Sequence, residues 1–103
     1  MAADTTKVQS VNTASTNIPT NSYVELFSST PIACSKLGIS NNTSSTIVVA
    51  VGASGSEVEV CAITKNTFTV LALQSIIAKG SRISLRAVDA AASSGYVAVS
   101  TLI

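Results

Sequence analysis

Acid–base and nucleophilic chemistry draws on a small set of side chains, and this sequence is poor in them. It contains no histidine, which excludes Ser-His-Asp and Cys-His constellations and every histidine-containing metal site. The five carboxylates are Asp4, Glu25, Glu57, Glu59 and Asp89. Only Glu57 and Glu59 come close together: two positions apart on an extended segment they share a face at about 7 Å, which is the reach of a glycosidase pair but the ordinary look of a solvated strand face. Asn41-Asn42 is a fragment of the alternating oxygen ligands that a Ca²⁺ site wants. Gly52-Ala53-Ser54-Gly55 lacks the lysine and following helix of a phosphate loop. Cys34 and Cys61 lie on separate expected strands and show no CxxC spacing; they could form one bridge, and the plainer reading is buried free thiols, as in a protein made in a reducing cytosol. No catalytic residue, cofactor or metal is assigned, and the chain is read as a non-enzyme.

Arg82 and Arg86 stand four residues apart with Ser84 between them, so on a strand they share one face. Paired with Glu57 or Glu59 across a sheet they would form a structural ion-pair ladder. Facing outward they would meet acidic groups of a neighbouring subunit, where arginine is enriched. The two roles are compatible, and Arg82 and Arg86 are therefore interface candidates. Val8, Val11 and Ile18 join them as isolated apolar residues in the polar stretch of residues 1–20, which has no sustained period and reads as an extended N-terminal arm able to lie along a sheet edge.

The elements that carry these residues read as strands. From Arg82 to Val88 polar and apolar residues alternate, and the terminal strand Tyr96 to Ile103 follows after a small-residue connector from Asp89 to Gly95. The pair is expected to form two antiparallel strands of one wall. Pro19 breaks the chain before Tyr23-Val24-Glu25-Leu26-Phe27. Ile32 to Ile39 reads as the next strand, and Ser40 to Ser45 as a polar hairpin connector. Thr46 to Val51 is apolar on both faces, which suits the middle of a sandwich or a place under a partner. Glu57 to Ile63 alternates, with the glutamates expected outward and Val58, Val60 and Ala62 inward. Thr67 to Leu73 puts Phe68 and Val70 on one face and Thr67 and Thr69 on the other; Gln74 to Ala78 is open between a short strand and an irregular crossing. Seven or eight strands at roughly ten-residue spacing predict an all-β, single-domain antiparallel β-sandwich, jelly-roll-like, in residues 21–103 behind the arm of residues 1–20. The absence of tryptophan argues against an immunoglobulin domain, which would place one in its core.

Composition points the same way. Valine, isoleucine and threonine supply 33 of the 103 residues and leucine only six, the β-branched usage that suits pleated surfaces. Charged residues are 11% of the chain and hydrophobic ones 47%, so the exterior must be largely serine, threonine, asparagine and alanine. Such a surface solubilises a free monomer weakly, and burial against other subunits is the common resolution. The net charge of +1, with basic residues spread singly, and only four aromatic residues give no case for nucleic acid. The N-terminus has no apolar h-region, no run approaches a membrane span, and the two overlapping glycosylation patterns at Asn41 to Ser44 mean little without a secretory route.

Three segments carry a resemblance over roughly Leu37 to Leu102. They are Gly52-Ala53-Ser54-Gly55-Ser56-Glu57 leading into a strand, Lys79-Gly80-Ser81-Arg82-Ile83-Ser84-Leu85-Arg86-Ala87, and Gly95-Tyr96-Val97-Ala98-Val99-Ser100-Thr101-Leu102. Together they resemble small bacteriophage virion proteins, the jelly-roll or β-sandwich modules used as capsid decoration or cement proteins or as collar and tail components. The resemblance implies a structural virion protein that bridges neighbouring shell subunits. Its expected partners are copies of itself, as a dimer or trimer, and the major capsid protein or other virion proteins; its location would be the virion, after synthesis in the host cytoplasm. It implies no enzyme activity and transfers no binding residue. A collar or tail component is one alternative. A carbohydrate- or receptor-binding sandwich is another, and it would have to build its platform from Tyr23, Phe27, Phe68 and Tyr96.

Overall fold

A computed structural model describes residues 8–14, 18–92 and 95–102 of the chain. These form eight strands: β1 (Val8–Ala14), β2 (Val24–Phe27), β3 (Cys34–Thr43), β4 (Ile47–Val51), β5 (Val58–Ile63), β6 (Thr67–Ile77), β7 (Ile83–Ala87) and β8 (Gly95–Leu102). All pairings are antiparallel, in two four-stranded sheets ordered β1-β8-β3-β6 (sheet 1) and β2-β7-β4-β5 (sheet 2). The domain is thus an all-β sandwich with jelly-roll order, in which the chain changes sheet at every connection except β4–β5.

Alternation builds the core. Leu37 and Ile39 of β3, Val97 and Val99 of β8, Ile47 and Val49 of β4, and Ile83 and Leu85 of β7 are all fully buried. They come from the inner faces of the four central strands, where Ile39 lies opposite Val99 and Val49 opposite Leu85. Each such side chain contributes about 1.5–3 kcal/mol when taken fully from water. Phe27, Ile63 and Ile77 close the same cluster.

Three expectations need correction. First, β7 and β8 are not a pair: β7 lies between β2 and β4 in sheet 2, and β8 between β1 and β3 in sheet 1. Alternation marks the face of a strand but carries nothing about its neighbour, and the Asp89–Gly95 connector crosses the sandwich. Second, the polar segment from Ser40 is not a connector as far as Thr43. It continues β3, because Asn41, fully buried, behaves as a hub: its Nδ2 donates to the carbonyls of Ser45 and Ile63, both at 2.9 Å, while its Oδ1 accepts from the Thr43 amide and hydroxyl. Every buried side-chain polar atom among the described residues has a partner, as the cost of an orphaned group demands. Third, Val60 and Ala62 do not face inward, and Val58, which keeps the inner side opposite Val51, is exposed at the sheet edge. The register of β5 on β4 slips between Val49 and Ala50, where Cys61 and Glu59 are the successive partners, so Val60 is an extra residue. That bulge resets the alternation: Ala62, opposite the outward Val48, is exposed, whereas Cys61 is half-buried and Ile63 buried.

Within the stretch read as an arm, β1 pairs along β8 from Val8 opposite Leu102 to Ala14 opposite Val97. Ile18 is 1% exposed and exchanges backbone hydrogen bonds with Ala92, at 3.0 and 2.9 Å. Gly95 opens β8 at φ 83° with its backbone against Asn42, where any Cβ would run into the Asn42 carbonyl oxygen. Only glycine fits both the left-handed conformation and the close approach.

Candidate interaction surfaces

The two outward faces of the sandwich differ in chemistry. On sheet 2, Arg82 just ahead of β7, and Ser84 and Arg86 within it, look outward. Ser84 lies opposite Glu25 of β2 on one side and Ala50 of β4 on the other; Arg86 lies opposite Val48. The two arginines reach across β4 to the far edge, a span of two strand spacings, about 9.5 Å. Arg82 donates from Nε to Glu25 Oε1 and from Nη1 to Glu57 Oε2, both at 2.9 Å. Arg86 donates from Nε to Glu59 Oε2 at 2.7 Å, and the Tyr23 hydroxyl donates to the same oxygen at 2.7 Å. This is possible because the residues beneath are small or slim: Ala50 and Ser84 are fully buried and Val48 is 5% exposed under the roof of ion pairs. The Gly52–Glu57 loop is sewn into it. Gly52 donates its amide to the Arg82 carbonyl at 3.0 Å, and the Gly55 amide donates to Glu57 Oε1 at 2.9 Å.

The electrostatics follow from that geometry. Hydrogen bonding to the Glu57 backbone, then the Arg82 guanidinium, hold the Glu57 carboxyl below the ordinary glutamate value. Arg86 and then the Tyr23 hydroxyl do the same for Glu59. The Tyr23 phenol is pushed up, first by its bond to the Glu59 carboxylate. Burial raises both thiols, Cys34 and Cys61, which are free.

Sheet 1 presents a face with one charged residue, Lys36, among small and apolar ones. Phe68, Val70 and Ala72 of β6 stand beside Ser40, Gly38 and Lys36 of β3, which in turn stand beside Ala98, Ser100 and Leu102 of β8. Phe68 is 67% exposed and Val70 51%. The pattern Thr-Phe-Thr-Val is amphipathic, but its apolar side is the outer one. Where β5 and β6 form the open side of the sandwich, a groove of about 480 Å³ is lined by Val60, Leu71, Ala72, Leu73, Ser75 and Ile77. Five of the seven large apolar side chains exposed among the described residues, Val58, Val60, Phe68, Val70 and Ile76, belong to these two strands.

Against the sequence-predicted contact residues, the structure brings Arg82 and Arg86 together with the glutamates of their own chain in the ladder arrangement. Ile18 lies inside the core, and Val8 and Val11 occupy ladder positions opposite Leu102 and Ser100. The aromatics do not gather: Phe27 is buried, Tyr23 belongs to the sheet 2 network, and Phe68 and Tyr96 lie two strands apart on sheet 1. Sequence reasoning missed the β5/β6 side, because the alternation of β6 has no inherent sign and the bulge at Val60 leaves no composition signal. Among the described residues no cluster of three metal-ligating side chains occurs, and no helix is long and apolar enough to cross a membrane. Comparison with protein families, curated proteins and solved structures finds no match for the chain.

Proposed function

We propose that this chain is a structural subunit of a multi-copy particle, specifically a bacteriophage capsid decoration or cement protein that bridges neighbouring shell subunits. The observation that carries the reading is the partition of the surface. The arginines and glutamates are satisfied within the chain on sheet 2, while the exposed stripe of Phe68 and Val70 on sheet 1 and the β5/β6 side offer apolar area of the kind that marks contact with other proteins. Jelly-roll order adds fold-level support, since viral capsid domains use this architecture among other functions. The three segments that resemble virion modules add theirs, and two of them, the Gly52–Glu57 loop and the Lys79–Ala87 strand, are bonded to each other through Arg82.

The test is binding to shells. Phage particles assembled without this chain are mixed with the purified protein and sedimented. Co-sedimentation that saturates at a fixed ratio to the major capsid protein is expected. A folded protein that stays in the supernatant at every concentration overturns the proposal.

A further inference from the structure

The sequence holds two overlapping acceptor patterns for N-linked glycan, Asn41-Asn42-Thr43 and Asn42-Thr43-Ser44. The fold gives the two asparagines opposite surroundings. Asn42 and Ser44 are exposed, and Asn42 Nδ2 donates at the surface to Ser40 Oγ at 2.9 Å. Asn41 is fully buried on β3, between Val97 of β8 and Thr67 of β6. Its Nδ2, the atom to which a glycan would be joined, donates to the carbonyls of Ser45 and Ile63 at 2.9 Å and of Thr64 at 3.3 Å. Ser45 follows β3 and Ile63 ends β5, so this one nitrogen ties sheet 1 to the end of sheet 2. Thr43, whose hydroxyl completes the Asn41 pattern, is 5% exposed and donates that hydroxyl to Asn41 Oδ1 at 2.7 Å.

We infer that Asn41 and Asn42 are modification sites of opposite consequence: a glycan on Asn42 is compatible with the native sandwich, whereas one on Asn41, which can be attached only to the unfolded chain, forbids it. The transfer joins the side-chain amide nitrogen to the anomeric carbon of a lipid-linked oligosaccharide. The bond from that carbon to the diphosphate oxygen breaks, the amide gives up one proton, and the lipid diphosphate leaves. On Asn42 the product stands in solvent, where a bulky saccharide belongs. On Asn41 it meets a closed interior, and it leaves one amide hydrogen for three carbonyls that two hydrogens serve in the native fold. Buried carbonyls deprived of a donor are costly, and the sugar itself has no space between the sheets. The chain is therefore suited to folding where no lipid-linked oligosaccharide is transferred. This goes beyond the particle reading and does not rest on it.

The test sends the full chain, behind a cleavable signal sequence, into microsomes that hold the lipid-linked donor. Mass spectrometry assigns each glycan to Asn41 or Asn42, and resistance to protease scores folding. Among the resistant molecules the Asn41 glycan should be depleted at least about tenfold against the undigested total, and the Asn42 glycan retained within about twofold, because cleavage follows the unfolded population. Ser44→Ala, at an exposed position, removes the Asn42 pattern alone. Its glycosylated molecules should be digested and its unglycosylated ones should survive. Protease-resistant chains bearing a glycan on Asn41 overturn the inference, as does a Ser44→Ala chain that receives none. Equal loss of chains glycosylated on Asn42 also overturns it, and so does digestion of chains without any glycan, since the compartment and not the sugar would then be the cause. Shell binding of the chain made without a signal sequence is scored separately, so either reading can fail while the other stands.

Discussion

Sheet 2 and sheet 1 each have a central strand that needs cover on its outer side, and they obtain it differently. Over β4 the cover is built from the same chain: Arg82 and Arg86 lie across Val48 and Ala50 to reach Glu57 and Glu59. Over β3 no arginine–glutamate roof of that kind is seen among the described residues. Gly38 and Ser40 stand between the exposed Phe68–Val70 stripe and Ala98–Ser100. The difference teaches how a chain with only 11% charged residues spends them. Placing both arginines and all three glutamates on one face makes that face self-sufficient and leaves the other more dependent on what it meets.

The contrast breaks most visibly at Arg82. Its side chain is 15% exposed and its partner Glu57 8%, so Arg82→Ala leaves a covered carboxylate without its cation and uncovers Ala50 and Ser84. Losing the shared cation of two hydrogen-bonded pairs is expected to give the largest loss of stability in chemical denaturation among the substitutions on this face. Arg82→Met, which restores the apolar stem but not the charge, should recover less than half of that; full recovery would mean that packing alone, and not pairing, covers β4.

How much of this was legible in the sequence depends on the kind of information asked for. The spacing of Arg82 and Arg86 with Ser84 between, and the acidic pair at Glu57 and Glu59, were enough to suggest the ladder, because same-strand spacing fixes a face. The apolar run Thr46 to Val51 likewise marked a strand covered on both sides. Pairing partners were not legible: β7 and β8 are consecutive and alternate cleanly, yet they lie in different sheets, since a jelly roll is assembled from contacts distant in sequence. Nor was the outward turn of Ala62, because a one-residue bulge at Val60 reverses every assignment on one side of it. Asn41 misled for a related reason. A polar residue reads as loop until its bonds to Ser45, Ile63 and Thr43 are seen.

Acid offers a gentler way to open the same face. Glu57 and Glu59 have folded-state values below the ordinary 4.5, so they release protons more readily folded than unfolded. Their stabilisation is complete above that value and is lost as pH falls below it through the lowered folded values. Stability should therefore decline from about pH 4.5 downward, and Glu59→Gln should flatten the slope there without changing it near neutrality. Tyr23 has the opposite sign: with its phenol raised above 10.0, the contribution is present below that value and fades as pH rises through it. At neutral pH a double-mutant cycle on Arg86 and Glu59, which are 26% and 40% exposed, should give only the weak favourable coupling of a solvent-screened pair. A coupling near zero would show that Arg86 serves chiefly as cover for Val48.

The smallest effect on the isolated fold is expected where the exposed side chain is largest. Phe68 is 67% exposed at the end of the neutral stripe, opposite Ser40, so Phe68→Ser removes little that is buried within the chain. The monomer's unfolding free energy should change by less than about 0.5 kcal/mol, measured at a concentration low enough to exclude association. The same substitution on sheet 2, Val48→Ser beneath the arginines, deletes a side chain only 5% exposed and should cost about 1–2 kcal/mol. The two values, side by side, weigh the faces against each other: if Phe68→Ser destabilises the monomer as much as Val48→Ser, sheet 1 is a finished surface and its apolar stripe belongs to the fold instead of to a partner.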